Sequence, residues 1–202
     1  MNRFFDGIPL WSALVPLGVY LLLVGWVHLR RRPAVISGAW DAILLWLGLS
    51  GLTLVGPLAL VRPAAGGSPW SWPILLLALC LIVVLAVLVS RPRLVVYNIT
   101  PEQVRPLVAE VAAGLDAAVR WAGDTAALPS RGLQVQIDGD GALRCVSLVA
   151  IGARPSVEGW GEFGRRLRRT VRRLRVRRNL WGLVPVALGC SVLVLAGWLA
   201  VG

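Results

Sequence analysis

Residues 172–201 read RRLRVRRNLWGLVPVALGCSVLVLAGWLAV. Five arginines occupy the first seven positions, and the 22 residues from Leu180 to Val201 carry no charge. A bilayer core about 30 Å thick takes about 20 apolar residues of helix, so the second part is long enough to cross one. The arginines ahead of it mark the side expected to stay in the cytoplasm.

Three more apolar runs lie upstream: Leu10–Val27, Ala39–Val61 and Pro73–Val89, with Asp41 in the first turn of the second as their one charge. Four such runs cannot be covered by the remainder of the chain as the core of a soluble domain. The expectation is a polytopic α-helical membrane protein with four transmembrane helices and a small cytoplasmic α+β domain inserted between helices 3 and 4. Its plan is residues 1–93 for three helices (about 10–27, 39–61 and 73–89), 94–179 for the domain, and 180–202 for the fourth helix. Composition agrees: 57% of residues are hydrophobic and 15% charged, against roughly 45–50% and 25% in soluble domains. All 21 cationic residues are arginine, a usage expected of a GC-rich bacterial genome, which points to a bacterial inner membrane.

The first run is expected to be a retained helix. Its apolar core exceeds the 7–15 residues of a signal peptide, and its basic cluster, Arg30-Arg31-Arg32, follows it. Arg91 and Arg93 follow the third run, while the opposite side has only Arg3 and Arg62 near the run ends. That asymmetry predicts both termini outside and residues 28–38 and 90–179 in the cytoplasm. Tryptophans 11, 70, 72 and 198 would then lie at the outer interface and 26, 40 and 181 at the inner one. Gly18 and Gly25 on the first helix, and Gly182, Gly189 and Ala196 on the fourth, recur every seven residues. Small residues at that spacing let helices approach closely in lipid.

Between residues 94 and 179 the pattern changes. Leu94–Ile99 reads as a strand, and Thr100-Pro101-Glu102-Gln103 as a helix start with Pro at the first helical position. Val104, Leu107, Val108, Val111, Leu115 and Val119 form one helical face, predicting a helix as far as Gly123. Thr125–Pro129 reads as a short strand. Leu133, Val135 and Ile137 alternate with glutamines, Asp138-Gly139-Asp140-Gly141 reads as a hairpin turn, and Ala142–Ile151 as the return strand. A helix over 157–178 closes a layer resembling a split βαβ unit.

That last helix carries the only distinctive pattern. Phe163, Leu167, Val171 and Leu174 make a narrow apolar stripe, and around it stand Arg165, Arg166, Arg168, Arg169, Arg172, Arg173, Arg175, Arg177 and Arg178. Either the stripe packs on the sheet and the arginines fix topology, or the helix lies along anionic headgroups, which attract about 1 kcal/mol per arginine. An acidic protein partner is a further option. Nucleic acid is disfavoured because the arginine-rich stretch 164–178 carries no aromatics for base stacking.

No catalytic pattern competes with this reading. His28 is the single histidine; beside Arg30, it reads as an interfacial cap that could pair with Asp41 across the loop. Cys80, Cys145 and Cys190 form no spaced motif, and the carboxylates are scattered. Asp138-x-Asp140-Gly141 lacks the glutamate of a calcium loop at its twelfth position, Val149. Intramembrane ionisable groups, which transport pathways use, are missing. No enzyme, cofactor or metal is expected. The expectation is a non-enzymatic membrane protein presenting a basic domain, an accessory or scaffold subunit in contact with the bilayer and anionic phospholipid. A membrane-protein partner or homo-oligomer would complete it. The alternatives are a membrane-tethered nucleic-acid binder, or a transporter or enzyme with an unrecognised site.

Overall fold

The computed structural model describes residues 10–53, 55–56, 70–140, 144–152, 156–176 and 179–201. The chain divides into two compact units. A helical unit takes Met1–Trp26, Ala42–Ser90 and Gly182–Gly202; a sheet unit takes Val27–Asp41 and Arg91–Trp181.

The helical elements are α1 (Leu10–Leu29), α2 (Gly38–Thr53), α3 (Ser71–Val89) and α6 (Leu183–Val201), the last entered through a 3₁₀ turn at Leu180–Gly182. Among the described residues two stretches are long and apolar enough to cross a membrane, Trp11–Leu29 and Leu180–Val201. This corrects the expectation of four transmembrane helices. At 1.5 Å per residue, the 16 residues of α2 and the apolar part of α3, Pro73–Val89, reach only about 25 Å. The end of the expected second run, residues 54 and 57–61, and the loop with Arg62 lie outside the described residues.

Inside the helical unit α1 and α6 meet at glycines. A Cβ placed on Gly18 would stand 2.6 Å from the Leu193 side chain, and one on Gly25 would stand 2.9 Å from the Gly182 carbonyl. Gly189 presses on the Gly18 carbonyl in the same way, at 2.9 Å, and Ala196 is buried. A side chain at these positions would push the backbones apart.

The sheet unit is built on β1 (Ala34–Ser37), β2 (Arg93–Tyr97), β3 (Arg120–Ala122), β4 (Thr125–Leu128), β5 (Leu133–Asp140) and β6 (Cys145–Ile151). They form one sheet in the order β1-β2-β6-β5-β4-β3, and every pairing is antiparallel. The parallel pair of a split βαβ unit is therefore not how this sheet is made. Nor is the unit a simple insertion between the last two helices. Its edge strand β1 comes from the short loop after α1, paired Ala34↔Tyr97 through Ser37↔Leu94.

Helices α4 (Pro101–Leu115) and α5 (Val157–Arg172) cover one face. Val104, Val108, Val111 and Leu115 from α4 and Phe163, Leu167 and Val171 from α5 meet Leu94, Val96, Leu128, Val135, Val146 and Leu148 of the sheet in one buried cluster. Along β5 the alternation holds: Leu133, Val135 and Ile137 are buried while Gln134, Gln136 and Asp138 are exposed.

Several boundaries fall elsewhere than the sequence predicts; the strand expected over Leu94–Ile99 runs Arg93–Tyr97. Helix α4 starts as read, with Gln103 Oε1 accepting from Thr100 N at 3.3 Å, but it stops at Leu115, well before Gly123. The buried Asp116 carboxylate draws the chain out of the helix by accepting from Ala118 N (2.8 Å), Ser130 N (2.8 Å) and Ser130 Oγ (2.9 Å). Residues 120–122 then pair with β4 around Gly123, whose φ of +58° suits glycine. The hairpin turn also shifts. Asp138, Gly139 and Asp140 lie within β5 opposite Ser147, Val146 and Cys145. Gly139 is there for close approach, since a Cβ would lie 2.9 Å from the Cys145 carbonyl. Finally, α5 ends at Arg172, with Arg173 N donating to Thr170 O and Leu174 N to Val171 O.

Two outcomes follow for the sheet unit. Phe163, with no exposed surface, should cost about 3–5 kcal/mol when replaced by Ala, whereas Arg165→Gln on the exposed face should change stability by less than about 0.5 kcal/mol; thermal unfolding followed by circular dichroism reads both. The hydrogen bond from Ala118 N, ahead of those from Ser130, holds the Asp116 carboxyl below its ordinary value of 3.8 despite burial. Its contribution is present above that value and is lost as pH falls through the lower folded value. Asp116→Asn should therefore flatten the fall of the unfolding midpoint on acidification below about pH 4.

Candidate functional site

The loop leaving α1 is held to the sheet unit by its backbone. Asn98, buried and at φ +64°, donates from Nδ2 to the Arg30 carbonyl. Val176 N donates to Arg31 O at 3.0 Å, and Asn179 N to His28 O at 3.4 Å. Just beyond, β1 joins the sheet. These bonds set residues 30–35 against the last turns of α5.

The result is a cleft of about 420 Å³ lined by Arg30, Arg32, Pro33, Ala34, Val35, Arg168, Val171 and Arg172. Pro33 and Val171 are buried in its floor, while the four arginines are exposed. Among the described residues that line it there is no carboxylate. Elsewhere in the unit arginines meet acids: Arg105 pairs with Asp124 at 3.2 Å, and Arg131 and Arg166 both reach Glu162 at 3.0 Å.

The nine arginines singled out in the sequence thus have different situations. Arg166 is a clamp inside the unit, donating to the Gly114 carbonyl at 2.6 Å as well as to Glu162. Arg168 and Arg172 line the cleft; Arg165 and Arg169 are exposed on α5 and do not line it. Arg173 and Arg175 are exposed past the helix end, and Arg177 and Arg178 lie outside the described residues. The apolar stripe is spent on the core: Phe163, Leu167 and Val171 are fully buried and Leu174 packs beside them. In the sequence Arg30 and Arg32 stand out only as topology markers. A four-residue strand gives too short a pattern to reveal that it pairs with β2 and so carries them to α5.

A second group lies around Tyr97. Its hydroxyl donates to Asp41 Oδ1, Arg93 Nη2 stands 3.6 Å from Asp41 Oδ2, and the His28 ring meets the Tyr97 ring edge-on with centroids 5.6 Å apart. His28 and Asp41, expected to pair across the loop, both meet Tyr97. Cys145 is the strand partner of Tyr97. Burial, then the negative charge of Asp41, pushes its thiol from 9.0 up to about 11, against the opposing pull of Arg93. That thiol is a poor nucleophile at neutral pH. Among the described residues no three His, Cys, Asp or Glu side chains come together as metal ligands.

With Cys80→Ser and Cys190→Ser in place, iodoacetamide should alkylate Cys145 at pH 8 about a hundredfold more slowly than an ordinary thiol, in proportion to the thiolate fraction. Adding Asp41→Asn removes the second cause and should speed the reaction; an unchanged rate would show that burial acts alone.

Comparison with models of protein families, with curated proteins and with solved structures finds no match to this chain.

Proposed function

We propose that the chain is a membrane-anchored, non-enzymatic protein of a bacterial inner membrane. Its sheet unit stands at the cytoplasmic surface, touches anionic phospholipid through its arginines, and serves another membrane protein as an accessory or scaffold. One observation carries the reading: apolar side chains on the long helices point outward while arginines crowd one segment of the sheet unit. Val194 and Trp198 on α6 are each 72% exposed, and only 11% of the Leu180–Val201 window and 17% of the Trp11–Leu29 window is buried. Core helices of a soluble protein would hide such surfaces, and exposed apolar area on this scale calls for lipid or a partner. Arg165, Arg168, Arg169, Arg172, Arg173 and Arg175 are all exposed, and Arg30, Arg31 and Arg32 directly follow α1. The positive-inside rule favours the cytoplasmic side for both groups.

Two measurements test this. In intact cells, a cysteine at Arg131→Cys, in a background without native cysteines, should resist a membrane-impermeant maleimide until the cells are permeabilised. Labelling from outside would reverse the orientation. The full chain purified in mild detergent should carry anionic phospholipid above its share of the membrane. Replacing Arg165, Arg168, Arg169 and Arg172 with Gln, or raising the salt so that the Debye length falls below about 8 Å, should reduce that enrichment. Preferential, salt-sensitive retention of duplex DNA would turn the reading to nucleic acid.

A further inference from the structure

Among the described residues β3 closes one end of the six-stranded sheet, and the direction of its backbone groups follows from its neighbours. The Asp124 carbonyl accepts from Ile137 N at 2.9 Å, on the β5 side. Backbone groups alternate along a strand, so Thr125 and Ala127 turn theirs towards β3, where Ala122 and Arg120 are their partners. Trp121, between those two, therefore directs both its N–H and its C=O out of the edge. An edge of this kind is a template for a further strand. The Trp121 indole lies on the helix-covered side, half-buried against the core. It forms one wall of a shallow groove of about 400 Å³, which Glu102, Arg105, Pro106 and Ala109 of α4 line from the other side. Arg105 steadies the indole, its guanidinium carbon 5.7 Å from the ring centroid, while it meets Asp124 at 3.2 Å and donates to the Gly123 carbonyl at 3.0 Å.

Residues 120–124 read Arg-Trp-Ala-Gly-Asp, with the basic and the acidic end both exposed. An antiparallel copy of the same segment, centred on Trp121, sets each Trp121 opposite the other, where they exchange two backbone hydrogen bonds. Arg120 then stands opposite the copy's Ala122 and diagonal to its Asp124, within reach of a long side chain. The two indoles lie side by side on one face, an arrangement that aromatic pairs favour, and the groove leaves room beside each ring. Centring on Ala122 would aim instead at the Gly123 carbonyl, which Arg105 already engages. A surface that is its own complement is the mark of a two-fold contact.

We propose that a second copy of this chain pairs with the first through β3, joining two sheet units edge to edge in a homodimer. The pairing makes no use of the arginine–lipid contact and rests on the membrane reading in one respect. A single residue's pair of bonds is a weak contact in dilute solution, and confinement of both copies to one bilayer raises their effective concentration enough to populate the dimer.

Disulfide trapping tests the register. With Cys80, Cys145 and Cys190 replaced by Ser, two differently tagged full-length copies are co-expressed, one with Arg120→Cys and the other with Ala122→Cys. Isolated membranes are then oxidised with copper phenanthroline. Across the proposed pair positions 120 and 122 face each other at about 4.5 Å between Cα atoms, within disulfide range, whereas two 120 positions or two 122 positions lie more than about 7 Å apart. The mixed pair should give at least about tenfold more cross-linked dimer than either like pair. Trp121→Ala in both copies should cut that yield at least about threefold through loss of the aromatic pair; an unchanged yield overturns the pairing. If circular dichroism shows Trp121→Ala unfolded, Asp124→Arg, which sets an arginine against Arg120 of the other copy, replaces it with the same expected loss. Equal yields from mixed and like pairs signify random collision and overturn the pairing, as does the absence of dimer. Cross-links to a different protein in place of the dimer overturn the second copy and assign the edge to that partner. A chain recovered outside the membrane fraction sinks the membrane reading alone, and the same oxidation of the concentrated, purified chain then decides the pairing.

Discussion

A backbone that leaves a helix must find partners for its N–H and C=O groups, and in this chain that requirement falls on residues 28–37. They find them in four places: the β2 ladder, the Asn98 amide, Val176 and Asn179. The organisation of the sheet unit depends on this one recruitment. It turns a connection between two apolar helices into an edge strand, so that the unit draws on two separate stretches of chain. It also brings the triplet Arg30-Arg31-Arg32 against a helix more than a hundred positions away in sequence.

The same requirement explains how charge is distributed. Where an arginine sits beside a carboxylate it becomes part of the scaffold, as Glu162 shows by tying Arg131 to Arg166 and, through Arg166, the end of α4 to α5. The arginines near the C-terminal end of α5 instead complement its dipole and remain exposed. Asp41 does two jobs at once. It stands in the first turn of α2, where a negative charge is favoured, and it gathers Tyr97 and Arg93. Burial raises the thiol pKa of Cys145, and the charge of Asp41 adds to it.

Local features of the fold are legible in the sequence, and features that depend on distant partners are not. The strand expected at 94–99, which runs Arg93–Tyr97 and stops before Asn98 at φ +64°, the start of α4 at Pro101, the alternation through Leu133, Val135 and Ile137, and the burial of Phe163, Leu167 and Val171 all follow from periodicity and capping chemistry. What failed depended on partners far along the chain. Nothing near Leu115 announces that Asp116 will bond Ser130 and end the helix. The Asp138-Gly139-Asp140 segment has turn chemistry, yet its pairing with β6 keeps it in the strand. Counting apolar residues gave four spans where the described residues give two: α2 starts as expected but runs over only 16 residues, Gly38–Thr53, and the apolar part of α3 is Pro73–Val89. Of the cleft, Arg168 and Arg172 were legible as a charged helix face, while Arg30 and Arg32 required knowledge of β1.

The pairing of β1 with β2 has a consequence for biogenesis. Ala34 finds its partner Tyr97 about sixty residues later, and at about 5–20 residues per second a ribosome needs roughly 3–12 s to supply it. During that interval the first arginine triplet and the nascent edge strand must wait with open backbone groups while α2 and α3 are synthesised. Contacts of such long sequence separation form late. The cleft is therefore completed only after α5 emerges. A chain stalled or cleaved before residue 168 would carry half of the arginine set and none of the site.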